Sequence, residues 1–402
     1  MAIPWRLRCV LVLGAFACIL VVAAPARALD GPQLTRSLDR AMNSARAANL
    51  GAQVTDMASG ATLYARNAAS RRIPASVEKL FTTAAALQRS GPDARLLTRV
   101  ARTGTVSAGT LDGDLLLIGG GDPSLDRAAI KRMARAVRRA GIRRVSGSVL
   151  GDESLFDDTR GGPRTGGLYD RDVGGVLGAL TVGRGFSARP GGPALAAARA
   201  LARALRADGV VVLGRTATGK APEAARTIAQ SRSAPLSELV RRTNQRSDNF
   251  YAEVLLKGLG ALNSGLGTTA AGATAASGLL APLGVAPAIA DGSGLARANR
   301  VSAADVVALL RTMRATPGGA AFEASLAVAG QSGTLRRRLR FTNAAGACRG
   351  KTGTLSRVST LAGICVTRSG RTLAFAFLMN DLALWRGHAA QDRALRALVA
   401  LR

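Results

Sequence analysis

The hydrophobic and polar positions divide the chain into three stretches. Apolar residues recur at helical spacing over 33–49. Residues 51–57 and 62–66 then alternate as two short strands around an Ala58-Ser59-Gly60 turn. Pro74 precedes a helix predicted from Ser76 to about Gln88, which Gly91-Pro92 stops. From about 93 to 227 the texture changes. Short β-like pieces such as 115–118 alternate with Gly-rich turns, one basic helix is predicted at 126–140 and one Ala-rich helix at 193–207, and 158–167 and 183–192 read as loops. Helical periodicity returns at 236–243 and 250–259, and again from Val301-Ser302 to about 314, with Ser302 as N-cap. Residues 346–378 read as three strands and 389–401 as a closing helix. The expectation is an α/β fold whose sheet is assembled from sequence-distant segments. Residues 29–92 and 228–402 form one domain, and 93–227 is an insertion with its own small core.

The first residues follow a different pattern. Arg6 and Arg8 precede an apolar run from Cys9 to Ala24, and Ala26-Arg27-Ala28 is a small-x-small site. These features predict a secretory signal over 1–28, cleaved after Ala28, and an extracytoplasmic protein. An uncleaved anchor is the alternative, although the run is shorter than the roughly 20 residues that span a bilayer. Cys18, followed by Ile19-Leu20-Val21, does not fit a lipoprotein cysteine.

Composition adds two constraints. With 48% hydrophobic residues but only 3% aromatics, the core must rest on Ala, Leu and Val. The net charge is +30, falling to +27 once 1–28 is removed. A basic balance can mean a polyanionic partner or a soluble basic surface. The arginines are spread along the chain without interleaved aromatics, which with the export signal argues against nucleic acid. Loose contact with anionic envelope polymers remains open. Only five of the 55 basic residues are lysines, at 79, 131, 220, 257 and 351.

Two of those lysines stand in motifs. Ser76-Val77-Glu78-Lys79, Ser247-Asp248-Asn249 and Lys351-Thr352-Gly353 occur in order. Each is weak alone; the ordered set is specific. Serine is a poor nucleophile without a base in hydrogen-bond reach. On a helix, Ser76 and Lys79 share one face, and the helix N-terminus favours a developing oxyanion. Lys79 serves as a base only if its proton can leave, which burial and a second cation such as Lys351 promote. Arginine could not do this, so lysine at 79 and 351 is informative in so arginine-rich a chain.

The motifs resemble those of the serine penicillin-binding proteins. More narrowly, the chain resembles the D-Ala-D-Ala carboxypeptidase/endopeptidase group of low-molecular-mass class C. The resemblance extends to Gly120-Gly121-Asp122-Pro123-Ser124-Leu125, 237–253, Asp291-Gly292-Ser293-Gly294-Leu295, Asn299-Arg300-Val301-Ser302, Gly333-Thr334-Leu335 and Gly350-Lys351-Thr352-Gly353-Thr354-Leu355. It implies a transpeptidase domain with an antiparallel sheet and flanking helices, split by a smaller β-rich insertion. It implies peptidoglycan stem peptides as substrates, β-lactams as inhibitors, and no metal or cofactor. Ser76 would attack the penultimate D-Ala carbonyl and Lys79 take its proton. Ser247 would relay a proton to the leaving amine, and Asn249 hold Lys79 and the substrate amide. Lys351, Thr352 and Thr354, with Gly353 between them, would bind the terminal carboxylate. The N–H groups of Ser76 and Thr354 would form the oxyanion hole.

The resemblance has departures. The 171 residues from Ser76 to Ser247 are fewer than two inserted domains need, so one inserted subdomain is reduced or absent. The group carries an acidic residue that meets the diamino side chain of the stem peptide, and Asp170 or Asp172 is its candidate here. Asp291, Ser293 and Asp248 read mainly as structural, and His388, the one histidine, as a packing or surface residue. A β-lactamase would carry a Glu-x-x-Leu-Asn string between 76 and 247, which is absent. A wall-binding module on a decayed enzyme fold would have lost some of these residues. Finally, a two-residue turn at Ser356-Arg357 places Cys348 opposite Cys365, as a disulfide or as a pair of buried thiols.

Overall fold

The computed structural model of the chain describes residues 29–186 and 191–402, so the predicted export signal and residues 187–190 lie outside it. Its centre is a six-stranded sheet in the order Ala327–Val328, Cys348–Leu355, Val358–Val366, Thr372–Asn380, Asn49–Asp56, Thr62–Arg66. Every pairing in it is antiparallel. The first hairpin of the chain thus docks on its last strand, joining segments more than 300 residues apart.

Alternation along Thr372–Asn380 shows how this sheet becomes the middle layer of three. Leu373, Phe375, Phe377 and Met379 face the terminal helices, where Leu34, Leu38, Leu395 and Leu398 cover them. Ala374, Ala376 and Leu378 face the other way, toward Val306 and Leu310 and the helices around the site. A strand buried on both faces reads as a continuous apolar run, and Leu-Ala-Phe-Ala-Phe-Leu-Met is one. The terminal helices Gly31–Ala45 and Leu384–Val399 form one layer. Asp30 caps the first of these in a capping box with Gln33. On the opposite face lie the helices Lys79–Ser90, Leu236–Gln245, Asn249–Ser264, Thr269–Leu280 and Ala303–Met313. Ser302 caps the last of them with Asp305.

The middle of the chain builds a second body. A five-stranded sheet runs in the order Thr216–Thr218, Val149–Asp152, Leu115–Ile118, Leu97–Arg102, Arg226–Arg232, beside a four-stranded sheet of short pieces. Helices Arg127–Arg139 and Gly192–Ala207 complete a separate core around Val100, Leu117, Ile130, Met133, Leu201 and Leu205. Because Arg226–Arg232 belongs to this sheet, the second body extends through 232. One loop of it folds back: Phe156, Val173, Leu177 and Ala179 join the core of the main body instead. That return segment lies against the helix carrying Asn249.

Two differences from the sequence reading have local causes. Thr269–Leu280 is a helix that periodicity does not show, because its Ala, Gly and Thr residues give no polar face. Its small residues serve packing. A Cβ on Gly272 would stand 2.1 Å from the Leu256 carbonyl oxygen, so the two helices approach as only glycine permits. The second difference, at Ser76, lies in the site itself.

Cys348 and Cys365 are partners in register and are joined as a disulfide. The bridge closes a hairpin of sequence separation 17. A loop of that length restricts the unfolded chain by about 3 kcal/mol in the chain-entropy account. Replacing both cysteines by alanine is therefore expected to lower unfolding stability by about 2–3 kcal/mol, read from denaturant melts. An unchanged midpoint would show that the hairpin is already held by its strand pairing.

Candidate active site

The turn after Pro74 sets the geometry. Ala75–Glu78 form a 3₁₀ turn, and the α-helix begins only at Lys79. Ala75 enters that turn at φ 47°, an uncommon conformation for a residue with a side chain. A 3₁₀ turn has three residues per turn, so positions i and i+3 eclipse. Ser76 and Lys79 consequently stand one above the other. Lys79 Nζ is 3.0 Å from Ser76 Oγ, 2.6 Å from Asn249 Oδ1 and 2.6 Å from the Ser293 carbonyl oxygen.

These three partners are chemically unequal. The Ser293 carbonyl can only accept. Asn249 also presents its oxygen, because its Nδ2 donates to the Asp172 carbonyl at 2.7 Å. Two N–H bonds of Lys79 are thereby committed, and Ser76 Oγ is the one partner able to reverse the direction of its bond. A neutral amine at Nζ would point its lone pair at the serine proton. Lys79 is fully buried, and burial lowers its pKa to about 8 against the opposing pull of Asp291, Glu253, Asp248 and Glu78.

The facing wall is the Cys348–Leu355 strand. Lys351 Nζ donates to Ser247 Oγ at 2.8 Å and to the Thr352 carbonyl at 2.7 Å. Burial pushes the Lys351 ammonium well below its ordinary range, and the Lys79 charge adds to this. Burial is thus the leading cause at both lysines; the charge of one lysine acts on the other only at Lys351. Ser247 is held at φ 56°. Asp248 caps the following helix through Tyr251 N, pairs with Arg184, and lies 3.4 Å from Arg242.

The strand lies close against the nucleophile turn. Thr360 Oγ1 donates to the Pro74 carbonyl at 2.7 Å. A Cβ on Gly353 would stand 2.1 Å from Thr360 Oγ1, 2.7 Å from the Pro74 oxygen and 3.0 Å from Ser76 N. Gly353→Ala would therefore force the strand and the nucleophile turn apart. A misplacement near 1 Å costs on the order of 10²-fold in rate, which is the loss of acylation rate expected by stopped-flow; a rate within threefold of wild type would show the strand position to be irrelevant. Thr352 Oγ1 is bonded to Thr334 Oγ1 at 2.8 Å, while Thr354 is exposed.

Three buried carboxylates lie behind Lys79: Glu78 from the first motif, Asp291 from the Asp-Gly-Ser-Gly-Leu string, and Glu253, which no motif singles out. Glu253 accepts from Ser293 N at 2.9 Å and Gly292 N at 3.3 Å. Asp291 accepts from Gly294 N, Ala296 N and Asn299 Nδ2. Together they fix the loop whose carbonyl receives Lys79. Glu78 is fully buried, and among the described residues neither of its oxygens has a hydrogen-bond partner. Burial, and then the Asp291 charge, push Glu78 well above the carboxylate range and Glu253 up to about 7. The available signal was spacing, since Glu253 follows Asn249 by one helical turn and so shares its face.

The remaining candidates are placed as follows. Asp170 is buried, and its carboxylate is bracketed by Arg164 and the Asp172 N–H. Asp172 contributes its carbonyl to Asn249, and its own side chain is 59% exposed. His388 sits on the C-terminal helix, where its carbonyl accepts from Arg338.

The chain as a whole is similar to known proteins in sequence and fold. The sequence profile of the D-Ala-D-Ala carboxypeptidase 3 (S13) family matches residues 34–166 and 164–401. A D-alanyl-D-alanine carboxypeptidase of Actinomadura sp. (strain R39) is 32% identical, over 82% of this chain and 77% of that protein. Carboxypeptidase DacB of Mycolicibacterium smegmatis is 34% identical, over 82% and 76%. The fold matches penicillin-binding protein 4 of Haemophilus influenzae with a TM-score of 0.78 at 20% identity, covering 89% of this chain and 97% of that one. A penicillin G-acylated endopeptidase of Bdellovibrio bacteriovorus matches at a TM-score of 0.52 and 17% identity, over 83% and 87%. The fold and family are those of the penicillin-binding serine peptidases, which are hydrolases. Within that class, the chain belongs to the D-Ala-D-Ala carboxypeptidase 3 (S13) family.

Proposed function

We propose that this chain cleaves the D-Ala-D-Ala bond of peptidoglycan stem peptides through an acyl-enzyme on Ser76, and that penicillins acylate the same serine. The observation that carries this reading is the Lys79 amine, with two of its bonds committed to acceptors and the third directed at Ser76 Oγ.

The steps follow from the groups present. Lys79 Nζ takes the Ser76 proton as Oγ attacks the carbonyl carbon. The N–H groups of Ser76 and Thr354 stabilise the oxyanion. Ser247, held by Lys351, gives its proton to the departing amine as the C–N bond breaks and takes back the one on Lys79, which leaves Lys79 neutral again. Water then attacks the ester, releasing the shortened peptide and returning the proton to Ser76. Lys351, Thr352 and Thr354 receive the substrate's terminal carboxylate. The strand's outer neighbour pairs only at Arg349 and Gly350, so 351–355 have no strand partner on that side, and an extended peptide can add there as a further strand. Of the two acids considered for the diamino side chain, both pair with Arg164, and Asp172 is the more exposed. Carboxypeptidase and endopeptidase action share these steps and differ in the amine that leaves.

In this reading residues 1–28 serve export, and the enzyme works in the cell envelope. Among the described residues, no helix is long and apolar enough to cross a membrane. The test is incubation of the mature protein with a pentapeptide ending in D-Ala-D-Ala, and separately with a penicillin. Release of D-Ala and an intact-mass gain of one drug molecule are expected. A folded sample that does neither would overturn the reading.

A further inference from the structure

We infer that the helix pair of the inserted body, Arg127–Arg139 and Gly192–Ala207, is a docking surface for a linear phosphodiester polymer of the cell envelope; this rests on the envelope location proposed above. Six of the thirteen residues of the first helix are basic and none is acidic. The second adds Arg199, Arg203 and Arg206, again without an acid. All nine cations are exposed. They supply nine of the chain's +30 from 29 residues, about four times the chain's average density.

Their neighbours leave them uncompensated. Among the described residues, the one ion pair any of the nine makes is Arg135 with Asp208, at 3.8 Å. Asp126 spends its carboxylate capping the first helix at Ala129 N. The buried sides are apolar, with Ile130, Met133 and Val137 facing Leu201 and Leu205 in one core, so each helix must turn its charges outward. Where the helices meet, Arg127 and Lys131 form one bank of a cleft of about 440 Å³ and Arg203 the other, over a floor of Ile130, Ala200 and Ala204. The small floor residues let an anion sit between the banks. Cations at i and i+4 stand about 6 Å apart along a helix, so the stripe repeats on the scale of a short phosphodiester unit.

The occupant is chosen by what the face lacks. No large hydrophobic residue is exposed on either helix, so there is nothing to insert into a bilayer. Neither helix carries an aromatic residue on which a base could stack. A flexible polyanion needs neither. A second cleft of about 440 Å³, lined by Arg40, Arg393 and Arg396, provides the control: its helices also carry Asp39 and Asp392.

The experiment titrates the mature protein with poly(glycerol phosphate), and separately with phosphatidylglycerol vesicles, at several salt concentrations. The cleft variant carries Arg127→Gln, Lys131→Gln and Arg203→Gln; the control carries Arg40→Gln, Arg393→Gln and Arg396→Gln. The cleft variant is expected to bind polymer at least tenfold more weakly and the control within twofold of wild type. The salt slope of the cleft variant should fall by about 2, since each neutralised phosphate on a single chain contributes about 0.7. Equal losses in both variants would reduce the effect to diffuse charge and overturn the proposal. So would absence of wild-type binding at 0.15 M salt, or tighter binding to vesicles than to polymer. Penicillin adduct formation, measured on every variant, reports separately on the enzymatic reading.

Discussion

Ser76→Ala is expected to abolish the penicillin adduct and to lower D-Ala release by at least about 10⁴-fold, as loss of a nucleophile does in other serine hydrolases. The fold should be untouched. Ser76 is only partly buried and, among the described residues, its hydroxyl bonds to Lys79 alone, so thermal unfolding should stay within about 1 kcal/mol of wild type. The comparison that gives this result force is Ser247→Ala. The site holds two serine–lysine pairs, Ser76 with Lys79 and Ser247 with Lys351, each within 3.0 Å. Either serine could attack on distance alone. The difference lies in what holds each lysine. Lys79 Nζ has two pure acceptors besides its serine, which aim its lone pair at Oγ. Lys351 has one, the Thr352 carbonyl. Ser76 also begins a helical segment, where free N–H groups meet a developing charge. Ser247→Ala should therefore retain a slowly formed adduct, with acylation reduced by about 10²–10³-fold, the ordinary worth of a proton relay. An adduct that survives Ser76→Ala and disappears in Ser247→Ala would reverse the two roles.

Much of this site could be read from residue types. In a chain where arginine outnumbers lysine tenfold, lysine at 79 and at 351 draws attention to two positions, and the structure brings both to one site. The central sheet was legible because Thr372–Asn380 is an unbroken apolar run and the Ser356-Arg357 turn fixes the register of the hairpin before it. What periodicity could not show depends on contacts between distant segments. The 3₁₀ turn at Ala75–Glu78 is set by Pro74 and by the strand packed against it, neither of which is a periodic signal. The Glu253 carboxylate matters because it grips a loop 40 residues further on. Ser293 acts through its backbone carbonyl, which any residue type would supply. Helix Thr269–Leu280 gives no periodic signal because packing by small residues leaves no polar face.

Lys79→Arg keeps a cation at the site but removes the ability to lose a proton, since a guanidinium stays charged at any working pH. Acylation is expected to fall by at least about 10³-fold, with no recovery at high pH. With Lys79 as the proposed base, the active form of the wild type is the neutral amine. Burial brings the Lys79 pKa down to about 8, so the acylation rate should rise about tenfold per pH unit below that value and level off above it. A rate independent of pH from 6 to 9 would show that Lys79 is not the base. Glu253→Gln separates electrostatics from positioning. The Glu253 carboxylate raises the Lys79 pKa, opposing burial. Above about pH 7, where Glu253 is ionised, removing its charge should move the rising limb to lower pH. Glutamine still offers one acceptor to the Ser293 N–H, which keeps the carbonyl on Lys79. A limb that stays in place while the plateau rate drops would mean that Glu253 only holds the loop, and that burial alone sets the base.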